Sequence, residues 1–292
     1  VLEFTVLASG SSGNAIYIRT NRVQVLLDAG ISGRQLQQRM QAVAGAEWAG
    51  LDAVLLTHEH VDHVRGLRQV LRACTAPVYA TEGTWHQVAA LGPTAVETAA
   101  AEESGRVRRV RAGEGFSIED LRVTPFAVSH DAEEPVAYRF DTDGASLAVV
   151  TDLGYMSDSI KSVIQGCDAY VLEANHDVEM LRAGRYPWSV KRRILGDKGH
   201  LSNDDAAFAL LDVLEDRRTD VYLAHLSEEN NLPELAELTV SSALGEMGVD
   251  CRERVRLHRT SRREATRLHR LGCGDMEYDG KDHNKESEHA GT

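Results

Sequence analysis

His58, Glu59, His60, Val61, Asp62 and His63 place three imidazoles and the Asp62 carboxylate within six residues. Neutral imidazole nitrogens and carboxylate oxygens are the donors that divalent transition metals prefer. Two histidines at i and i+2 can grip one cation while Asp62 and His63 turn to a second. With 12 histidines in 292 residues, a run this dense is not what composition alone produces. A polar turn with no ion is the bland alternative. The spacing instead predicts a two-metal site.

Such ligands need a rigid base. The preceding Asp52-Ala53-Val54-Leu55-Leu56-Thr57 reads as a buried strand, which sets where the ligand loop begins. The same grammar, an apolar strand ending in a carboxylate or histidine, recurs five times. It delivers Asp28 (with Gly30 allowing a tight turn), His130, Asp152, the polar cluster Glu173-Ala174-Asn175-His176-Asp177, and His225. Strand ends along one sheet edge can share a rim, so these residues can converge.

Strands are expected at 3–8, 15–19, 23–28 and 53–57, and again near 77–80, 106–110, 121–128, 136–141, 146–151, 169–173 and 221–224. Helices are expected at 32–43, 64–73, 204–214 and 233–247. Strands in runs with helices between them, in two similar halves, fit two sheets packed face to face with helices outside. Residues 274–292 are poor in apolar side chains and are expected to form a disordered tail after a domain spanning 1–273.

Together these residues resemble the metallo-β-lactamase fold superfamily, in order through Asp28, the HEHVDH run, His130, Asp152 and His225. The resemblance implies an α/β four-layer αβ/βα sandwich. It implies one metal on His58, His60 and His130, and a second on Asp62, His63 and His225. Asp152 would bridge them, and Asp28 would orient a ligand histidine. Aspartate rather than cysteine at 152 looks like the branches that cleave phosphoesters and thioesters. The block GRYPW…KRRILGDKGHLSN over 184–203, with SGSSGN, EANHD and AHLSEENN, is similar to the YycJ (also called WalJ) family. That likeness implies a 5′→3′ DNA exonuclease tied to mismatch repair, with Zn or Mn as cofactor. The stretch from Asp152 to His225 is too short for a cap domain.

Two divalent ions about 3.5–4 Å apart hold and activate a hydroxide for attack on phosphorus. Asp62 is the candidate ligand and general base. His200 is the candidate acid or phosphoryl stabiliser, because Ser202 and Asp205 form a capping box just after it. Packing against that helix is its plainer role. The Ser9–Asn14 loop, with Ser11 and Asn14, is either an anion-binding concavity or an ordinary hairpin turn. Arg185, Trp188, Lys191 and Arg192 combine cations with an aromatic, as single-strand binding requires; a core role for Trp188 is the rival. His176 is a candidate substrate contact, with supporting and purely structural roles also open.

The net charge of −13 argues against generic clinging to nucleic acid, although 106–111, 182–198 and 252–270 are locally basic. Any one of these runs can equally be a solvated face. No apolar stretch is long enough to cross a bilayer, no signal peptide is evident, and four scattered cysteines suit a reducing cytoplasm. A homodimer would help an acidic chain hold DNA, as single strands or duplex ends. Rival readings are a small-molecule phosphodiesterase, a thioesterase, and a metal-bound regulatory module linked to cell-wall signalling.

Overall fold

A computed structural model describes residues 1–251 and 253–272. The amino-terminal half supplies strands β1 (Leu2–Ala8), β2 (Ala15–Arg19), β3 (Gln24–Leu27), β4 (Ala53–Leu55), β5 (Val78–Ala80) and β6 (Val107–Arg109). Helices α1 (Gly33–Ala44), α2 (Val61–Val64), α3 (Leu67–Ala73), α4 (Glu82–Ala90) and α5 (Ala95–Glu103) connect them. The second half supplies β7 (Phe116–Ile118), β8 (Leu121–Ala127), β9 (Val136–Thr142), β10 (Ala145–Val150), β11 (Ala169–Glu173), β12 (Thr219–Ala224), β13 (Val255–Arg259) and β14 (His269–Leu271). Its helices are α6 (Asp158–Ile164), α7 (Val178–Ala183), α8 (Trp188–Ile194), α9 (Asn203–Val213) and α10 (Pro233–Glu246).

Two seven-stranded sheets result, ordered β14-β1-β2-β3-β4-β5-β6 and β13-β12-β11-β10-β9-β8-β7. In each, antiparallel hairpins give way to parallel neighbours: β3 to β6 in the first sheet, β10 to β13 in the second. The parallel strands β4, β10 and β11 are buried along their whole length because both faces are covered. One face meets the opposite sheet through Phe4, Ile18, Val25, Tyr138, Leu147 and Val171. The outer faces carry separate apolar layers, Leu36, Met40, Leu67 and Trp85 on one side and Ile160, Leu210, Val240 and Leu244 on the other. This is the expected four-layer αβ/βα sandwich. Between β10 and β12 the described chain forms only β11 and short helices, with no cap domain. No helix of the described residues is long and apolar enough to cross a membrane. The expected tail at 274–292 lies outside the described residues.

The topology aims the chemistry. Parallel strands put their carboxyl ends on one rim, where α/β sheets bind ligands. Asp28, His58, Asp152, Glu173 and His225 all stand at such ends. One expected helix, 64–73, is broken. The Gly66 amide donates to the Ala29 carbonyl at 2.7 Å, so the chain stops there to clamp the strand end beside it.

Gly30 does something other than make a tight turn. Asp28 makes the turn, with φ 59°, and Gly30 lets two loops touch. A Cβ on Gly30 would lie 1.6 Å from the Asp62 carbonyl oxygen and 2.5 Å from the Asn14 nitrogen. Gly30→Ala therefore requires the Asp62 loop to move and should destabilise by roughly 3 kcal/mol or more, the top of the overpacking range. Thermal melting beside Gly92→Ala, where a Cβ meets nothing within 4 Å, is the check. Equal melting of the two variants would mean that the loops are not in contact.

Candidate metal centre

Three residues of the rim bend the chain into the left-handed region without being glycine: Asp28 (φ 59°), Asp152 (φ 61°) and His225 (φ 54°). Such backbone costs on the order of 1–3 kcal/mol each and persists only where surrounding contacts hold it. Here it turns each side chain inward across the rim. His225 is held further by its amide, which donates to Ser9 Oγ at 2.7 Å.

His58, His60 and His130 converge first. His58 Nε2 lies 3.0 Å from His60 Nδ1, and His130 Nε2 lies 3.3 Å from the same atom. Beside them, Asp62 Oδ2 stands 3.5 Å from His63 Nε2 and 3.4 Å from His225 Nε2. Asp152 sits between the groups, with Oδ2 3.2 Å from His63 Nε2 and Oδ1 3.3 Å from His225 Nε2 and 3.8 Å from His130 Nε2. The expected ligands are thus brought together at one place, as two triads each able to hold a metal ion.

Four of the five imidazoles have Nδ1 engaged from behind. Asp28 Oδ2 takes His63 Nδ1 at 2.7 Å, and Glu173 Oε1 takes His225 Nδ1 at 2.9 Å. The Gly199 carbonyl takes His130 Nδ1 at 3.2 Å, and Thr57 Oγ1 lies 3.0 Å from His58 Nδ1. Thr57 in turn donates to Asp28 at 2.8 Å. These partners turn Nε2 towards the centre, the arrangement that orients metal-bound histidines. His60 alone presents Nδ1.

The charges fit divalent cations. Burial opposes ionisation of Asp152, yet His225 and His63 outweigh it and hold the carboxyl well below its ordinary range. Asp62 is likewise lowered, burial being overcome by hydrogen bonds from His225 and His63. Burial would lower His63, but Asp152 and Asp28 raise it well above the usual imidazole range. For His225 burial is overcome by Asp152, Asp62 and Glu173, which push it up to about 10. His58 falls below its usual range through burial and the neighbouring His63. Asp152 Oδ2 is buried and, although His63 Nε2 lies 3.2 Å away, meets no donor in hydrogen-bond geometry. An orphaned carboxylate oxygen among converging imidazole nitrogens is the donor set a dication satisfies.

Glu173 was missed as an individual residue by sequence reasoning. It is fully buried, and Oε1 takes both His225 Nδ1 and His200 Nδ1, the latter at 2.8 Å. Oε2 accepts from the Leu153 and Leu201 amides at 3.1 and 3.2 Å. Burial acts to raise its pKa, but His200 and His225 bring it down to about 2. Its sequence signal was the shared strand-end grammar, masked by the polar residues behind it. His200 is raised in return, burial being outweighed by Glu173. The capping box after it is present, on Ser202 and Asp205.

The expected substrate contacts divide. Ser11, Arg185 and Arg192 are exposed, as is Trp188 at 64%. Lys191 is not available to a strand: it is buried, and Nζ donates to the Arg182 and Gly184 carbonyls at 2.6 and 2.7 Å. Asn14 is buried too, with Nδ2 3.2 Å from Asp62 Oδ2 and 3.1 Å from His63 Nε2, so its amide braces the centre. His176 is 1% exposed with both ring nitrogens unpartnered, which removes it from the surface a substrate reaches. Burial takes its pKa down to about 4.

A beta-lactamase superfamily domain model matches residues 23–226. The exodeoxyribonuclease YycJ of Bacillus anthracis is 44% identical over 268 residues, covering 91% of this chain and 98% of the relative. The exodeoxyribonuclease WalJ of Streptococcus pneumoniae is 40% identical over 255 residues, covering 85% and 91%. The metallo-beta-lactamase fold protein YhfI of Bacillus subtilis superposes with a TM-score of 0.65 at 14% identity, over 91% of this chain and 98% of that one. With its rim of histidines and aspartates and these relatives, the chain belongs to the metallo-β-lactamase superfamily and, within it, to the family of YycJ and WalJ.

Proposed function

We propose that this protein is a metal-dependent 5′→3′ DNA exonuclease that acts in the cytoplasm in DNA mismatch repair. The observation carrying the reading is the pair of ligand triads joined at Asp152 in a chain of this family. His58, His60 and His130 would hold one divalent ion, Asp62, His63 and His225 the other, with Asp152 shared. When bound, Zn or Mn ions supply Lewis-acid stabilisation of phosphoryl oxygens and lower the pKa of the attacking water.

The side chains supply the rest. Asp62 accepts the proton of the attacking water while its position is fixed by Asn14. The water oxygen bonds to phosphorus as the P–O3′ bond breaks. His200, whose pKa Glu173 raises, gives a proton to the departing 3′ oxygen. Each turnover releases a 5′-nucleotide and leaves a 5′-phosphate on the shortened strand. Exposed Arg185, Arg192 and Trp188 guide the strand. Cys74, Cys167 and Cys251 are free thiols, which suits a reducing compartment.

Incubation with Mn and end-labelled single- and double-stranded DNA and RNA tests the activity directly. Stepwise release of 5′-nucleotides from DNA, absent in Asp152→Ala, is expected. Intact polymers with cleavage of a small phosphodiester would move the assignment to a small-molecule phosphodiesterase. His200→Ala should lower kcat by about 10²–10⁴-fold, the usual worth of a general acid. Metal content, measured by atomic emission, should stay as in the wild type, and metal loss on this substitution would recast His200 as a ligand. Trp188→Ala should weaken single-strand binding by roughly 1–3 kcal/mol per stacked base while leaving the melting temperature nearly unchanged. A large drop in melting temperature with normal affinity would make Trp188 structural.

A further inference from the structure

Large apolar side chains stand in water at two further points of the metal rim. Val61, 61% exposed, lies between the ligands His60 and Asp62. Tyr155, 49% exposed, lies three residues after Asp152. Val61 follows β4 of the first sheet and Tyr155 follows β10 of the second, so each sheet contributes one of them to the rim. Building on the exonuclease reading, we propose that Tyr155 is the stacking platform for the base next to the scissile phosphate, with Val61 as the facing apolar wall.

Tyr155 is carried by the best-fixed part of the rim. The amide of Gly154 donates to the Ser129 carbonyl at 2.9 Å, one residue before His130. A Cβ on Gly154 would fall 2.2 Å from the Asp197 carbonyl oxygen and 2.5 Å from that of Gly196. The chain just before Tyr155 is therefore wedged between the strand that presents His130 and the loop that leads to His200. That loop also supplies the Gly199 carbonyl to His130 Nδ1. Asp152 precedes Gly154 by two residues, and the Leu153 amide between them donates to Glu173. The backbone just before Tyr155 is thus tied to the segments that carry His130 and His200, while Tyr155 itself is left exposed. In the first sheet's half, Val61 opens α2, whose Asp62 and His63 belong to a group able to hold a metal.

The chemistry asks for such a surface. An enzyme that removes nucleotides one after another meets every base in turn, so hydrogen bonds to base edges would make it stall on some. Stacking on an aromatic face is available to all four bases. A base held by Tyr155 would set the following phosphate over the metal rim, converting loose attachment of a strand into a fixed register.

The test compares wild type, Tyr155→Phe and Tyr155→Ala on a 3′-labelled oligonucleotide carrying a normal or an abasic 5′-terminal nucleotide, with Mn. Tyr155→Ala should raise KM on the normal end by roughly 5- to 150-fold, with metal content and melting temperature unchanged. Tyr155→Phe should stay within about twofold, because the ring remains. On the abasic end the gap between wild type and Tyr155→Ala should close. Val61→Ser should weaken the normal end in the same base-dependent sense, and by less. Equal KM for wild type and Tyr155→Ala on the normal end, or an equal loss on both ends, overturns the platform and leaves the exonuclease standing. Failure of the wild type to shorten either oligonucleotide, with a small phosphodiester still cleaved, brings down both readings.

Discussion

The Asp152 carboxylate is buried at the meeting point of the two sheets, facing imidazoles from three separate strand ends. A carboxylate taken out of water costs several kcal/mol unless it is paired, and pairing with one histidine would leave an oxygen idle. The surrounding structure answers that demand. The left-handed turn at Asp152 points it inward, Gly154 locks the chain behind it, and His63 and His225 approach from opposite sheets. Removing any one partner would leave a buried charge, so the rim behaves as a unit. Cations held at the two triads would replace protons in the same balance, since metal ligands must first give theirs up.

The two sheets solve the orientation problem in parallel ways. In the first, Asp28 at the end of β3 holds His63 through Nδ1. In the second, Glu173 at the end of β11 holds His225 through Nδ1 and His200 as well. Each anion lies behind its imidazole and is itself fixed by backbone amides, Thr57 for Asp28 and Leu153 with Leu201 for Glu173. Glu173 therefore couples a ligand to the candidate proton donor through one oxygen. Glycine matters where loops must touch: Gly30 allows the Asp62 carbonyl to accept from the Asn14 amide at 2.8 Å, and Asn14 braces Asp62 from beneath.

The candidate metal-site residues were legible because their signal is local or follows a strand: HEHVDH lies within six residues, and Asp28, His130, Asp152 and His225 end apolar runs. The four-layer order was legible for the same reason, since fully buried parallel strands read as continuous apolar segments. What escaped depends on contacts distant in sequence. Glu173 meets His225 across 52 residues, and Asn14 meets His63 across 49. Lys191 misled because a basic run reveals charge but not direction; the turn of α8 sends it down onto two carbonyls while Arg192 and Trp188 stay outside. Strands β13 and β14 hide in the arginine-rich run at 252–270, where burial is only partial and alternation faint. Helices α4 and α5 carry weak apolar stripes and lie in an alanine-rich stretch that gives little periodicity.

A net charge of −13 sets how such a protein can hold a polyanion. Much of its positive charge is already committed: Arg109 lies on Glu82 and Glu102, Arg193 on Asp131, Arg259 on Glu234 and Glu237, and Arg262 on Glu228. Arg39 is spent on the carbonyls of Leu7, Arg262 and Arg263. A strand would therefore meet a positive charge reduced by these pairings, along with the repulsion of the acidic surface, so attachment by phosphate contacts would be salt-sensitive. Stacking carries no such penalty, because a base presents a neutral face. Grip concentrated on aromatic surfaces beside the metal rim, rather than along a basic groove, would also let the chain release its hold each time an end nucleotide departed. On the proposed exonuclease reading the charge is consistent: bound cations at the rim would supply positive charge where bonds break, and the rest of the surface would not compete for the strand.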